Sequence, residues 1–261
     1  MLRALSTAAT GMEAQETRLD VTANNVANAS TPGFKRMRAE FADLLYQQLR
    51  APGAPTGAGT RSPTGVQVGM GVKIDGTSRS FAEGDLRQTG NPLDVAIEGN
   101  GFFAIQLPGD RLGYTRDGAF ALDAEGRIVT TEGYPLVADV TVPPEAQAVS
   151  IAGDGTVTAV IAGEPTPVEL GKLELTSFAN PAGLAAMGKN LFTETAASGT
   201  PFTGAPGEDG LGTLAQGTLE LSNVKVVEEM IDLISGQRAY ETNARVVKAA
   251  DEMLDQTARL G

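Results

Sequence analysis

The sequence predicts an α+β fold: N- and C-terminal helices pair as a coiled coil into one discontinuous domain, and an all-β domain is inserted between them. Three observations carry this reading. Both ends hold apolar residues at heptad spacing, the middle alternates with a period of two, and Asp-Gly, Glu-Gly and Asn-Gly pairs punctuate that middle at short intervals. The expected boundaries are residues 1–35 plus 221–261 for a helical assembly domain, 36–75 for a connecting arm and 76–220 for a β-rich outer domain.

At the N-terminus Leu2, Leu5, Ala9, Met12, Glu16, Leu19 and Ala23 recur alternately three and four apart, which places them on one helix face. The helix should fade over residues 24–28, where Asn side chains compete for backbone hydrogen bonds, and Pro32-Gly33 forbids its continuation. A short second helix is expected over residues 36–49. Residues 51–65 are too rich in Pro, Gly and small polar residues to bury a core, and read as an extended arm. From Val66 the apolar positions Val66, Val68, Met70, Val72 and Ile74 alternate, the pattern of a strand with one buried face.

Asn100-Gly101 stands between two apolar runs, residues 94–97 and 102–105, and Asn-Gly is the pair best suited to a type I′ hairpin turn. Asp117-Gly118, Glu125-Gly126, Glu132-Gly133 and Asp154-Gly155 mark further turns between short strands, among them 127–129, 157–161 and 173–175. Such spacing predicts a sandwich or barrel. Residues 199–217, again rich in Gly and Pro, should form a long surface loop. The second helix pattern begins near Ser222, which is placed to cap it, and runs through Val226, Met230, Leu233, Gln237, Tyr240, Ala244, Val247, Asp251 and Leu254. Val227, Ile231, Ile234, Ala250 and Met253 widen its apolar face. Isolated helices of this kind are marginal in water, so each stripe needs a partner surface, and the other terminus is the obvious one.

Composition narrows the function. A net charge of −12 disfavours nucleic acid or an anionic membrane as the main partner. The chain has no cysteine, which rules out disulfides and thiolate metal sites, and no histidine, which removes the commonest general base and metal ligand. No catalytic, cofactor or metal site is expected. No run approaches the roughly eighteen apolar residues of a membrane span. The first twenty residues also lack a signal-peptide pattern, so if the protein leaves the cytoplasm it is expected to do so without a conventional cleaved signal.

Ser222-Asn-Val-Lys225 matches a Ser-x-x-Lys nucleophile pattern, but its companion segments are absent and the cap reading is preferred. The Asp-Gly pairs lack the rest of a calcium loop, and Asn28-Ala-Ser30 is a sequon short enough to arise by chance. A peptidoglycan hydrolase would have to work with two carboxylates or with Ser222 and Lys225; a β-rich adhesin would leave the heptads unexplained.

The segment ANNVANASTPGFK, residues 23–35, in register with the first helix, resembles the N-terminal signature of bacterial flagellar axial proteins, the rod and hook subunits. LDVAIEGNGFFAIQLP (93–108), YTRDGAFALDAEGRIVTTEGYPL (114–136) and the closing helix (222–256) are similar to the same family. Length and residues 46–72 are most similar to its distal rod branch, with proximal rod and hook subunits as the alternatives. The resemblance implies a structural subunit exported by the flagellar type III apparatus and polymerised into a hollow helical drive shaft across the periplasm, transmitting torque from motor to hook. Its partners would be copies of itself, other rod proteins, the hook protein, the rod cap, the periplasmic and outer-membrane ring proteins and the export apparatus, with no nucleic acid and no direct membrane insertion. Candidate assembly residues are Leu2, Leu5, Met12 and Leu19 on the first helix, Asn24, Asn25, Asn28, Pro32, Gly33 and Phe34 in the signature, and Val226, Met230, Leu233, Tyr240, Val247 and Leu254 on the last. The resemblance also gives the arm, with Tyr46, Pro52, Pro55 and Pro63, the role of keeping the shaft rigid.

Overall fold

The computed structural model describes residues 2–57, 60–163 and 166–260, and of Leu2, Thr56, Gly57 and Leu260 the backbone alone. Ala58 and Gly59 of the expected arm, and the Leu2 side chain, therefore lie outside the described residues. The chain forms two compact units. The first comprises Met1–Ala27, Met37–Ser78 and Lys225–Gly261; the second comprises Asn28–Arg36 and Arg79–Val224.

The first unit contains α1 (Leu2–Ala27) and α2 (Val226–Leu260). The two run antiparallel, because Gly11 faces Asn243, Leu19 faces Gly236 and Asn25 bonds Glu229, the partner number falling as the first rises. At about 1.5 Å per residue α2 is roughly 13 Å longer than α1, so its last turns extend beyond its partner. Arg18 and Asp232 pair across the helices at 2.8 Å. Glycine permits the close approach: a Cβ on Gly236 would sit 3.0 Å from Leu19 Cδ2, and one on Gly11 2.9 Å from Asn243 Nδ2.

The helix expected over residues 36–49 is absent. Met37–Asp43 is a strand paired with Val72–Arg79, and Tyr46–Arg50 pairs antiparallel with Val66–Gly69. Sheet pairing overrides the helix-forming composition here. Arg38 and Glu40, two residues apart and therefore on one side of a strand, bond at 2.7 Å, while Ser78 Oγ donates to Glu40 across the pair. The single strand expected from Val66 to Ile74 is broken at Gly71, whose φ of +116° lets it pack against Thr10, and Val66 and Ile74 are exposed. Within the expected arm the chain pairs with itself as a ribbon. Pro55–Gly57 pairs with Thr60–Arg61, and Gly53 N–H donates to Ser62 O at 2.9 Å.

The second unit holds a β core built around Val95, Ile97, Phe103, Ile105, Phe120, Val157, Leu173, Leu175 and Leu214. A four-stranded sheet orders Ala185–Gly188, Leu191–Thr193, Arg111–Thr115 and Phe103–Leu107; a three-stranded one orders Ala146–Ile151, Thr156–Ile161 and Val168–Lys172. Phe102 and Phe103 point to opposite faces, as successive strand residues must. Phe103 enters the main core, and Phe102 joins Phe81, Tyr114, Phe178 and Phe192 in an aromatic cluster.

Asn100-Gly101 does not close a hairpin between its neighbours. Val95–Glu98 pairs with Thr213–Gln216, and Phe103–Leu107 with Arg111–Thr115. Positive φ falls on Gly99 and Gly101, not on Asn100, so the chain passes from one sheet to another there. The same pairing corrects the loop expected over residues 199–217. Phe202–Gly204 and Thr213–Gln216 are strands within it, and Leu211 and Leu214 are buried.

Candidate assembly interface

Burial along the two terminal helices follows a register that apolar content alone does not give. On α1, Leu5, Met12 and Leu19 are half-buried as expected, but Ala9, Glu16 and Ala23 are exposed, and the inner lane is Ala8, Gln15 and Thr22, one residue earlier. On α2, Leu233, Val247 and Leu254 are half-buried and Tyr240 keeps the lane while 41% exposed; the companion lane is again shifted by one, to Glu229, Gly236, Asn243 and Ala250. Most residues of the shifted lanes are small or polar, and the helices approach closely there, at Gly236 against Leu19 and at Asn243 against Gly11. Val226 and Met230 consequently stand outside the helix pair, and with Val227, Ile231 and Ile234 they form an uncovered apolar strip, Val227 being 71% and Ile231 60% exposed.

Asn25 is the polar hinge of this unit. Its Nδ2 donates to Glu229 Oε2 at 3.0 Å and to Met37 O at 2.8 Å, and its Oδ1 accepts from Met37 N–H at 2.9 Å. One buried amide thus fixes α1, α2 and the first strand. Asn24 is exposed.

The rest of the signature belongs to the second unit. Asn28 O and Oδ1 accept from the Thr31 amide and hydroxyl at 3.1 and 3.3 Å, closing a turn, and Pro32 O accepts from Asn190 Nδ2 at 3.0 Å. Gly33 has a φ of +66°, its N–H donates to Glu220 O at 2.9 Å, and a Cβ there would lie 2.6 Å from Asp117 N. No other residue fits without strain. Phe34 is half-buried, its N–H donating to Thr31 O at 3.3 Å.

Lys35 is fully buried. Its Nζ donates to Glu220 Oε1 at 2.6 Å and to Ala82 O at 2.8 Å. Gly84 N–H donates to the same carboxylate oxygen at 2.8 Å, and Arg116 Nη1 lies 3.4 Å from Glu220 Oε2 while also bonding Ile97 O. Burial pushes the Lys35 ammonium below its ordinary pKa, against the opposing pull of Glu220. It lowers Arg116 likewise. Glu220, Arg116, Asn190, Asn223 and Glu229 were not singled out by the sequence reading; Glu220 between Leu219 and Leu221, on a strand, was the one local cue.

In the arm, Tyr46 is 57% exposed and Pro52, Pro55 and Pro63 are exposed. Ser222 does not cap α2. Its Oγ accepts from Val224 N–H before the helix begins, and the first helical turn closes with Glu229 N–H on Lys225 O. Lys225 Nζ pairs with Glu228 at 3.3 Å. Among the described residues no cluster of acidic side chains is arranged to hold a metal ion, and no helix is long and apolar enough to cross a membrane.

Comparison with known proteins places this chain in the class of flagellar axial subunits along its length. Residues 5–35 match a family profile described as "Flagella basal body rod protein", 96–159 one described as "Flagellar hook protein FlgE/F/G D1 domain", and 215–260 one described as "Flagellar basal body rod FlgEFG protein C-terminal". The flagellar basal-body rod protein FlgG of Caulobacter vibrioides is 46% identical over 260 residues, covering 99% of each chain, and that of Borreliella burgdorferi is 46% identical over 256 residues, covering 97% of each. The flagellar hook protein FlgE of Helicobacter mustelae is 42% identical over 135 residues, 51% of this chain and 30% of its own. The chain belongs to the flagellar basal-body rod protein family. It is a structural rod subunit, not an enzyme, and its place is the flagellar basal body.

Proposed function

We propose that the chain polymerises through its terminal helices into the hollow helical shaft of the distal rod, carrying torque from motor to hook. The observation behind this reading is the uncovered strip Val227, Met230, Ile231 and Ile234 on α2, a contiguous apolar surface that water leaves unsatisfied and that a second copy could cover. Repeated head-to-tail contacts that do not close into a ring build a filament. In that filament α1 and α2 would pack as a coiled coil with each other and with neighbouring copies, the assembly domain being residues 1–35 plus 221–261 around a β-rich insertion at 76–220. The ribbon around Tyr46, Pro52, Pro55 and Pro63 would fill space between neighbours and resist sliding, its prolines stiffening it. Other rod proteins, the hook protein, the rod cap, the ring proteins and the type III export apparatus are the partners this role calls for.

Ile231→Asp with Ile234→Asp tests the reading by electron microscopy of polymer grown from the purified chain. Straight tubes are expected from the unaltered protein and none from the variant, whose near-ultraviolet circular dichroism should be unchanged. Tubes that still form from the doubly charged variant would remove α2 from the interface.

A further inference from the structure

Three of the four points at which the chain enters or leaves the second unit are tied to one another. Arg36 N–H donates to Asn223 Oδ1 at 2.7 Å, and Arg36 O accepts from Ser80 N–H at 2.9 Å. Asn223 Nδ2 then donates to Ser80 O at 3.0 Å and to Ala82 O at 2.9 Å. Ala82 O also receives Lys35 Nζ, which carries the connection to Glu220, and Glu220 in turn accepts from Gly84 N–H. Leu221 N–H closes the set on Asp85 O at 2.8 Å. Each of the segments 35–36, 79–85 and 220–223 thus bonds both of the others, with Glu220 bonding Gly33 and Arg116 besides.

We propose that Asn223 and Glu220 form a clasp joining these three segments into one cooperative element, so that they disengage from the second unit together or not at all. A side-chain amide suits the task because it offers an acceptor and two donors in one plane, enough to serve an N–H on one segment and two carbonyls on another. The Lys35–Glu220 pair supplies the second joint, and its burial holds it against solvent. Bonds that share members in this way open cooperatively.

Amide hydrogen exchange on the full chain, read residue by residue, tests the clasp with Asn223→Ala. Exchange at Arg36, Ser80, Gly84 and Leu221 should accelerate together by roughly ten- to hundredfold, the scale of three lost net hydrogen bonds. Gly84 and Leu221 matter most, because their N–H groups bond Glu220 and Asp85, not the Asn223 side chain. Phe102 and Thr176, whose backbones bond each other at 2.8 and 2.9 Å in the adjacent core, should keep their protection. Asn223→Asp is the milder variant. It keeps the acceptor for Arg36 N–H and removes both donors, so acceleration at Arg36 as well as at Gly84 is the cooperative result. Acceleration confined to residues bonded directly to the altered atoms, equal acceleration of Phe102 and Thr176, or no change at all would each overturn the proposal.

Discussion

Replacing Glu220 by Gln should destabilise the second unit more than replacing Lys35 by Met, although the two residues form one ion pair. The Glu220 carboxylate is 1% exposed and serves two buried cations, Lys35 at 2.6 Å and Arg116 at 3.4 Å. Removing its charge leaves those cations facing each other, with Glu83 the other carboxylate that acts on both. An uncompensated buried charge costs about 3–5 kcal/mol, and a like-charged neighbour puts this case at the upper end. Lys35→Met instead leaves Arg116 and Glu220 as a neutral pair. Ala82 O keeps its bond from Asn223 Nδ2, so no acceptor is stranded, and the loss should be about 1–3 kcal/mol.

Urea unfolding of the full chain, followed by near-ultraviolet circular dichroism, separates the two. With a slope of about 1–3 kcal/mol per molar urea, a gap of about 2 kcal/mol moves the midpoint by roughly 1 M. Equal losses, or a larger loss for Lys35→Met, would refute the view that Glu220 is the shared counter-charge. An unchanged slope is needed for the comparison to concern stability alone.

Two further outcomes follow from the same region. Gly33→Ala should cost roughly 2–4 kcal/mol in a thermal melt, because φ of +66° is strained for any side chain and the new Cβ would press on backbone atoms of Arg116 and Asp117; a loss under about 0.5 kcal/mol would show that the turn relaxes. Burial raises the Asp117 carboxyl above its ordinary 3.8, Asp94 adding to the effect and the Ala119 N–H and Asn190 opposing it. Between 3.8 and that raised value the Asp117 carboxyl holds more proton in the native state than in the unfolded chain, so its own contribution to stability should fall as pH rises through the window. Asp117→Asn should flatten that slope in pH-dependent urea melts, and an identical slope in the variant would assign the titration elsewhere.

The terminal helices were legible because apolar spacing survives in half of each stripe: Leu5, Met12 and Leu19 on α1, and Leu233, Val247 and Leu254 on α2, sit where spacing puts them. The companion lanes were misplaced by one residue for a physical reason. Gln15, Thr22, Gly236 and Asn243 are small or polar residues at the close approach of the helices, which a search for apolar residues passes over. The segment 36–49 failed in the opposite sense. Its Ala, Glu and Leu favour helix locally, and only the strand at Val72–Arg79 decides otherwise. The signature was legible as a motif and opaque as chemistry. Pro32, Gly33 and Lys35 bond Asn190, Glu220 and Ala82, and no local pattern joins residues so far apart in the chain.

Charge partition bears on which unit is built to meet its own copies. Residues of the second unit include nine basic and nineteen acidic side chains, a net of −10, whereas those of the first include eleven and thirteen, a net of −2. Identical surfaces repel in proportion to the square of their net charge, so copies of the second unit resist stacking at low salt while copies of the first barely do. The exposed strip on α2 lies on the near-neutral unit, where desolvating apolar surface gains free energy with little Coulombic opposition. In the proposed assembly the acidic unit supplies most of the repulsion between free copies, and the near-neutral unit supplies the contact. Screening acts on the two unequally, since added salt weakens the repulsion between β units and leaves the apolar contact intact. Under that proposal repulsion and association fall to different units, and the signature segment, with Asn25 in one unit and Lys35 in the other, is the stretch of chain common to both.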